Sequence, residues 1–175
     1  KAITRRFTNK IWNKGPERSA QRNFGVTKAH GDYFLFLDAD MQLEKSVIVD
    51  CIAVVEKNLT LKAVIIPERS VGIGFWSKCK AFERECYLND DIIEAARFIQ
   101  RDAFISCGGY DESITGPEDW DLPEKIRKRY HIGRINHFII HNEGKTSLFS
   151  LMKKKYYYAK RVSRYLTKHS VFVTG

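Results

Sequence analysis

Cysteine and proline are scarce in this chain, four of each in 175 residues, and no two cysteines stand in a C-x-x-C pair. Cys51, Cys79, Cys86 and Cys107 therefore lack the spacing of a zinc site. Nothing else marks the chain as secreted, so reduced cysteines in a cytosolic protein are expected. No apolar run approaches the roughly 18 residues that a membrane-spanning helix needs. The first ten residues, Lys1 to Lys10, contain no apolar stretch of the signal-peptide kind. Repeats, low-complexity tracts and Pro/Ser linkers are also missing, which points to one domain with its own core. Acidic residues are absent altogether after Glu143.

What is present fits a folded, basic protein. Apolar residues make up 43% and aromatics 13%, which argues against disorder. Thirty Lys and Arg face 21 Asp and Glu, a net charge of +9. Such a surplus favours a polyanionic partner: nucleic acid, an anionic membrane or phosphates. Its distribution narrows the choice. Lys145, Lys153, Lys154, Lys155, Lys160, Arg161, Arg164 and Lys168 crowd the acid-free tail, while the rest is close to balanced.

Strand-like and helix-like segments alternate. The pattern predicts a short strand at Ala2–Phe7, a helix from Pro16 to His30 with Pro in its first turn and Gly31 beyond its end, and a buried strand at Tyr33–Leu37. A helix at Ser46–Asn58, a strand at Leu61–Ile66 and a helix at Phe75–Leu88 follow. Strands at Ala96–Gln100 and Ile132–Ile140 flank a helical run at Trp120–Tyr130, and a basic helix spans Leu148–His169. This alternation predicts an α/β layered domain, with helices as crossovers between parallel strands.

Four groups of residues carry chemistry. In Phe36-Leu37-Asp38-Ala39-Asp40, two carboxylates follow an apolar strand, at the edge where open α/β sheets bind ligands. A hard divalent cation relieves their repulsion, and a diphosphate can complete its oxygen shell. Asp40 can equally cap the next helix. Gly116-Pro117-Glu118-Asp119-Trp120-Asp121 follows Gly108-Gly109-Tyr110-Asp111-Glu112. One of its carboxylates can deprotonate a substrate hydroxyl, or all of them can serve only the dipole of the following helix. His141 ends a strand, where it can ligate a metal or satisfy the structure. Arg18 and Arg22 lie one turn apart on one helix face and suit phosphate contacts.

The order and spacing of these pieces are more specific than any one of them. Gly15-Pro16-Glu17-Arg18-Ser19-Ala20-Gln21-Arg22-Asn23-Phe24-Gly25, then Ala29-His30-Gly31-Asp32-Tyr33, then Leu35-Phe36-Leu37-Asp38-Ala39-Asp40 resembles the central block of glycosyltransferase family 2. Gly108 to Glu112 followed by Glu118-Asp119-Trp120-Asp121-Leu122 resembles its later G-G-[FY]-D-E … E-D block. The resemblance runs from about Gly15 to Gly144. It implies a GT-A fold: a Rossmann-like, mostly parallel sheet flanked by helices. It also implies inverting transfer from a nucleotide-diphospho-sugar, with Mn²⁺ or Mg²⁺ as cofactor. Asp38, Asp40 and His141 would be the metal set, and Asp119 the catalytic base with Glu118 beside it. Arg18, Arg22, Asn23, Arg97 and Arg101 would face donor or nucleotide. Trp76, after a Gly-x-Gly, and Trp120 are expected to line the acceptor cleft. The family's opening strand–helix–strand, which holds the nucleobase, has no counterpart here. The expected division is thus a partial GT-A domain over 1–145 and a basic amphipathic helix over 146–175. The Q-x-x-R-W motif of processive synthases is absent, so transfer of a single sugar is expected.

By this reading a metal-assisted diphosphate leaves as Asp119 takes the acceptor's proton. Partial burial against Trp120 and Tyr110 would raise the base's pKa. The acceptor is expected to be a glycan or a lipid-linked sugar, and the site of action the cytoplasm, peripherally on an anionic leaflet that the tail would touch. Two other readings compete: an inverting glycoside hydrolase, which also uses separated carboxylates, and a nucleic-acid module carried by the aromatic-basic tail. No nucleic-acid motif accompanies that charge, so no nucleic-acid partner is expected.

Overall fold

The computed structural model describes residues 3–169. Fifteen elements follow one another: a 3-10 turn (Thr4–Arg6), α1 (Arg18–Lys28), β1 (Tyr33–Leu35), β2 (Met41–Leu43), α2 (Val47–Lys57), β3 (Leu61–Ile65), β4 (Glu68–Ile73), α3 (Phe75–Glu85), β5 (Ala96–Gln100), α4 (Arg101–Ser106), α5 (Glu118–Arg127), β6 (His131–Arg134), β7 (Ile139–Lys145), α6 (Leu148–Ala159) and α7 (Val162–Lys168). The strand expected near the N-terminus is instead the 3-10 turn, and residue 2 lies outside the described residues.

The central sheet has the order β1-β5-β3-β6. β3 pairs parallel with β6, and β5 pairs antiparallel with both β1 and β3. Three of the four strands therefore point the same way, with β5 reversed. β5 passes directly into α4, and its neighbour β1 ends in the D-x-D turn, so the two strands exit at opposite edges. Alternate residues of β3 face opposite layers. Ala63 and Ile65 join Val26, Phe34, Ile99, Phe104, Leu122 and Ile126 in a core under α1, α4 and α5. Val64 and Ile66 join Val47, Cys51, Val55, Phe98 and Ile139 under α2. A strand covered on both faces reads as a continuous apolar run, as Leu61–Ile66 does.

A smaller sheet, β2-β7-β4, stands beyond the carboxyl ends of β1 and β3. The single strand expected over Ile132–Ile140 is two, β6 and β7, one in each sheet. The basic tail is likewise two helices, broken at Lys160–Arg161. Residues 170–175, the end of the expected C-terminal unit, lie outside the described residues.

Candidate active site

The chain leaves the central sheet just after β1. The Phe36 N–H donates to the Arg97 carbonyl at 3.0 Å, and the Met41 N–H closes a turn on the Asp38 carbonyl at 3.1 Å. The Asn142 N–H then pins the turn to β7 through the Asp40 carbonyl at 2.9 Å. The two aspartates consequently face different neighbours. Asp38 Oδ1 accepts from Arg22 Nη2 at 3.2 Å, whereas Asp40 Oδ2 stands 3.2 Å from His141 Nε2.

α5 starts after Gly116, whose φ of +108° suits glycine. Its first turn carries Glu118, Asp119 and Asp121, placed favourably for the helix dipole. Pro123 offers no N–H to the Asp119 carbonyl four residues earlier, so that carbonyl lacks its helical partner. Arg22 spans the site: Nη1 donates to Asp119 Oδ1 at 2.5 Å while Nη2 reaches Asp38. Arg97 Nη2 adds its charge at 3.8 Å from Asp119 and 4.0 Å from Asp38. Burial by itself would push the Asp119 carboxyl up, but Arg97, Arg22 and Arg18 outweigh it and hold the pKa below the usual aspartate value. The raised pKa expected for this base is therefore not found, because the sequence could not show two arginines converging on it. Burial and the charge of Asp119 instead raise the pKa of Glu118, which is fully buried and tied to Arg18 and the Gly116 N–H.

Beneath Asp119 and His141 lies a residue the sequence reading missed. Glu68 begins β4 and is buried. Arg97 Nε donates to its Oε1 at 2.6 Å, Arg84 approaches Oε2 at 2.9 Å, and His141 Nδ1 stands at 3.6 Å. Burial opposes ionisation here, yet His141 and the two arginines draw the Glu68 pKa down to about 2. Glu68 in turn leads the groups that raise the pKa of His141. A carboxylate directly after the apolar strand end Ile65-Ile66-Pro67 was the available signal, by the same rule that singled out the D-x-D.

These groups open into a cavity of about 370 Å³. α1 contributes Arg18, α3 contributes Lys80, Glu83 and Arg84, the turn after it contributes Tyr87, and α6 contributes Leu151, Lys154, Lys155 and Tyr158. Six Lys and Arg line it against four carboxylates, Asp38, Glu68, Glu83 and Asp119. Its lining carries a surplus of positive charge.

The profile of glycosyl transferase family 2 matches residues 6–159. The chain belongs to glycosyl transferase family 2. Among solved structures it is similar to S. aureus TarS 1-349, with 14% identity and a TM-score of 0.61 over 81% of this chain. It is also similar to S. aureus TarS 1-349 in complex with UDP-GlcNAc, with 17% identity and a TM-score of 0.58 over 83% of this chain. At such identities the likeness concerns the fold, and the GT-A architecture expected from the sequence is the one observed. The chain spans under half of those two TarS chains, 47% and 46%. Among curated proteins no match is found.

Within this family member, Asp119, Asp38, Arg18, Arg97, Trp120 and His141 share the cavity wall. Arg22 stands behind them as the strut between Asp38 and Asp119. Three expected residues serve elsewhere. Asn23 binds the Tyr110 backbone through both amide atoms and also reaches Glu112, fixing the Gly108–Glu112 loop on α1. This explains Gly109: a Cβ there would come within 2.8 Å of Asn23 Oδ1. Arg101 bonds the Ala29 and Gly31 carbonyls beyond α1 and stacks over Phe34, so it braces the fold away from the cavity. Trp76 packs edge-on against Phe75 and does not line the cavity; the later residues of α3 do.

The residues present meet a divalent cation in part. Asp40 and His141 come together as a two-residue oxygen–nitrogen pair. Asp38 is engaged by Arg22, and no group of three such donors forms among the described residues. A bound diphosphate would have to supply the remaining oxygens.

Proposed function

We propose that this chain forms the donor-side catalytic part of an enzyme that moves a single sugar from a nucleotide-diphospho-sugar to an acceptor hydroxyl, with inversion. The observation that carries this reading is the Asp119 carboxylate, held between Arg22 and Arg97 at the wall of a cation-rich cavity. A single displacement balances all atoms. The acceptor oxygen attacks the anomeric carbon, its proton passes to Asp119, and the bond from that carbon to the diphosphate oxygen breaks. Nucleoside diphosphate departs with the negative charge.

Arg22 orients Asp119 and keeps it ionised, so the carboxylate is ready at neutral pH but weakly basic. Donor phosphates compete for Arg97 and Arg18, and this raises the basicity of Asp119 only when donor is in place. Trp120, fixed by its Nε1–H on the Ile93 carbonyl at 3.0 Å, gives an aromatic edge for the acceptor sugar. A Mn²⁺ or Mg²⁺ ion held by Asp40 and His141, with Asp38 after Arg22 releases it, would supply positive charge to the leaving diphosphate. TarS has been seen with UDP-GlcNAc, which makes UDP-sugars the first donors to try.

The acceptor proposed is a glycan or lipid-linked sugar at the cytoplasmic face of a membrane. No described helix is long and apolar enough to cross one. The outer side of α6, however, exposes Leu148, Phe149, Met152 and Tyr156 beside Lys153 and Lys160. That arrangement suits an anionic leaflet.

A thermal-shift panel of nucleotide-sugars with Mn²⁺ on the full-length protein tests the function. A true donor at about 100 times its Kd adds about 2.7 kcal/mol and raises Tm clearly. No shift with any donor would overturn the reading.

A further inference from the structure

The cations of the cavity differ in one respect. Arg18 meets Glu118, Lys80 meets Glu143, Arg84 and Arg97 meet Glu68, and Lys155 meets Glu83, each within 4.0 Å. Among the described residues, Lys154 alone of the six has no carboxylate partner. Successive residues of a helix point about 100° apart, so the run Lys153-Lys154-Lys155 cannot face one direction. Leu151 and Tyr158, three residues before and four after Lys154, both line the cavity. The face of α6 that carries Lys154 is therefore the face turned to the site.

That face is held in place. Ser147 caps α6 by accepting from the Ser150 N–H at 3.2 Å. Lys155 bridges to Glu83 of α3 at 2.6 Å. Tyr158 packs so closely on Gly116 that a Cβ there would meet its ring at 3.0 Å, and Arg18 lies over the same ring at 5.8 Å. The result is a fixed backbone that presents one ammonium, with no carboxylate of the described residues within 4.0 Å, to the cavity that Asp38, Asp119 and His141 also line; the charge of this ammonium reaches Asp40.

We propose that Lys154, reaching in from α6, binds the diphosphate of the nucleotide-sugar donor. This rests on the transferase reading above and deepens it by assigning a donor-binding residue outside the family motifs. An ammonium is a point charge on a flexible stem, suited to following phosphate oxygens as the leaving group gains charge. Lys155 is the structural neighbour in this assignment, and Lys153 lies on another face.

The test is calorimetric titration of the full-length protein with the common nucleoside diphosphates, their monophosphates and inorganic pyrophosphate, repeated for Lys154→Ala, Lys154→Arg and Lys153→Ala. Circular dichroism and Tm check that each variant is folded. Lys154→Ala is expected to weaken diphosphate binding about tenfold or more, as loss of a charged hydrogen bond does, and monophosphate binding much less. Lys154→Arg should recover most of the loss, and Lys153→Ala should bind as the wild type. Equal nucleoside diphosphate affinity in Lys154→Ala and wild type would overturn the assignment and leave the transferase reading standing. Failure of the wild type itself to bind any nucleoside diphosphate or pyrophosphate would overturn the transferase reading, and the assignment with it.

Discussion

At the scale of single residues, the site is a study in what neighbours do to carboxylates. Asp119, Glu118 and Asp121 sit within one helical turn but in three environments. Asp119 faces arginines across the cavity, Glu118 is sealed against Arg18, and Asp121 is fully buried under the tail. Asp121 Oδ1 lies 2.8 Å from Lys168 Nζ and 2.9 Å from His169 Nε2, and Lys125 Nζ approaches Oδ2 at 3.4 Å. Burial opposes its ionisation, but Lys168, His169 and Lys125 hold its pKa below the ordinary value. Its folded pKa is depressed, so its contribution to stability is complete above the unfolded pKa and is lost as pH falls through the folded one. Asp121→Asn leaves the partly exposed Lys168 and Lys125 ammoniums facing a buried amide and should cost about 2 kcal/mol at pH 7. In urea unfolding the gap from wild type should narrow below about pH 4. An unchanged midpoint at pH 7 would show that Asp121 does not fasten the tail. Asp38, Asp119 and His141, each singled out at the end of a strand or the start of a helix in the sequence, do line one cavity. Their partners were not legible there: Arg22 meets Asp119 across 97 positions and Arg97 meets Glu68 across 29. No local pattern reports such distances.

At the scale of elements, most segments were legible from apolar periodicity and breakers, and the misses share a cause. The run from Ile132 to Ile140 reads as one strand because apolar residues recur along it at Ile132, Ile135, Phe138, Ile139 and Ile140, yet Ile135 to Phe138 carries the chain from one sheet to the other. The basic tail reads as one helix because its stripe is continuous. Tertiary pairing decides otherwise, with α7 anchored on Asp111 and Asp121 while α6 lies along the cavity. The same division bears on membrane binding. In α7, Lys168 is paired with Asp111 and Asp121, whereas the outer side of α6 exposes apolar residues beside lysines. Each basic residue near an anionic surface adds about 1 kcal/mol. The full-length protein should float with anionic vesicles at low salt and not with neutral ones. Replacing Phe149 and Met152 with Ser should abolish flotation without lowering Tm, since both side chains are exposed. Flotation by that variant equal to wild type would rule out α6 as the contact.

At the scale of the whole molecule, two sheets meet along the D-x-D turn, and every group assigned to chemistry sits near that junction. β1 delivers Asp38, β7 delivers His141, β4 delivers Glu68, and α1 and α5 close the site from the other side. The net charge of +9, which the sequence spreads along a tail, is drawn partly into one cavity by the folding back of α6. Composition alone left nucleic acid, membrane and phosphate as partners. The cavity, lined by six Lys and Arg, is why we propose phosphate among them.

The central claim is that Asp119 is the base for transfer from a nucleotide-sugar, and one comparison tests it most directly. Donor affinity and single-turnover transfer are measured side by side for the full-length wild type and Asp119→Asn, with the donor chosen by the thermal-shift panel. The account predicts a donor Kd within a few-fold of wild type and a transfer rate lower by about 10² to 10⁴. Transfer by Asp119→Asn at the wild-type rate would contradict it.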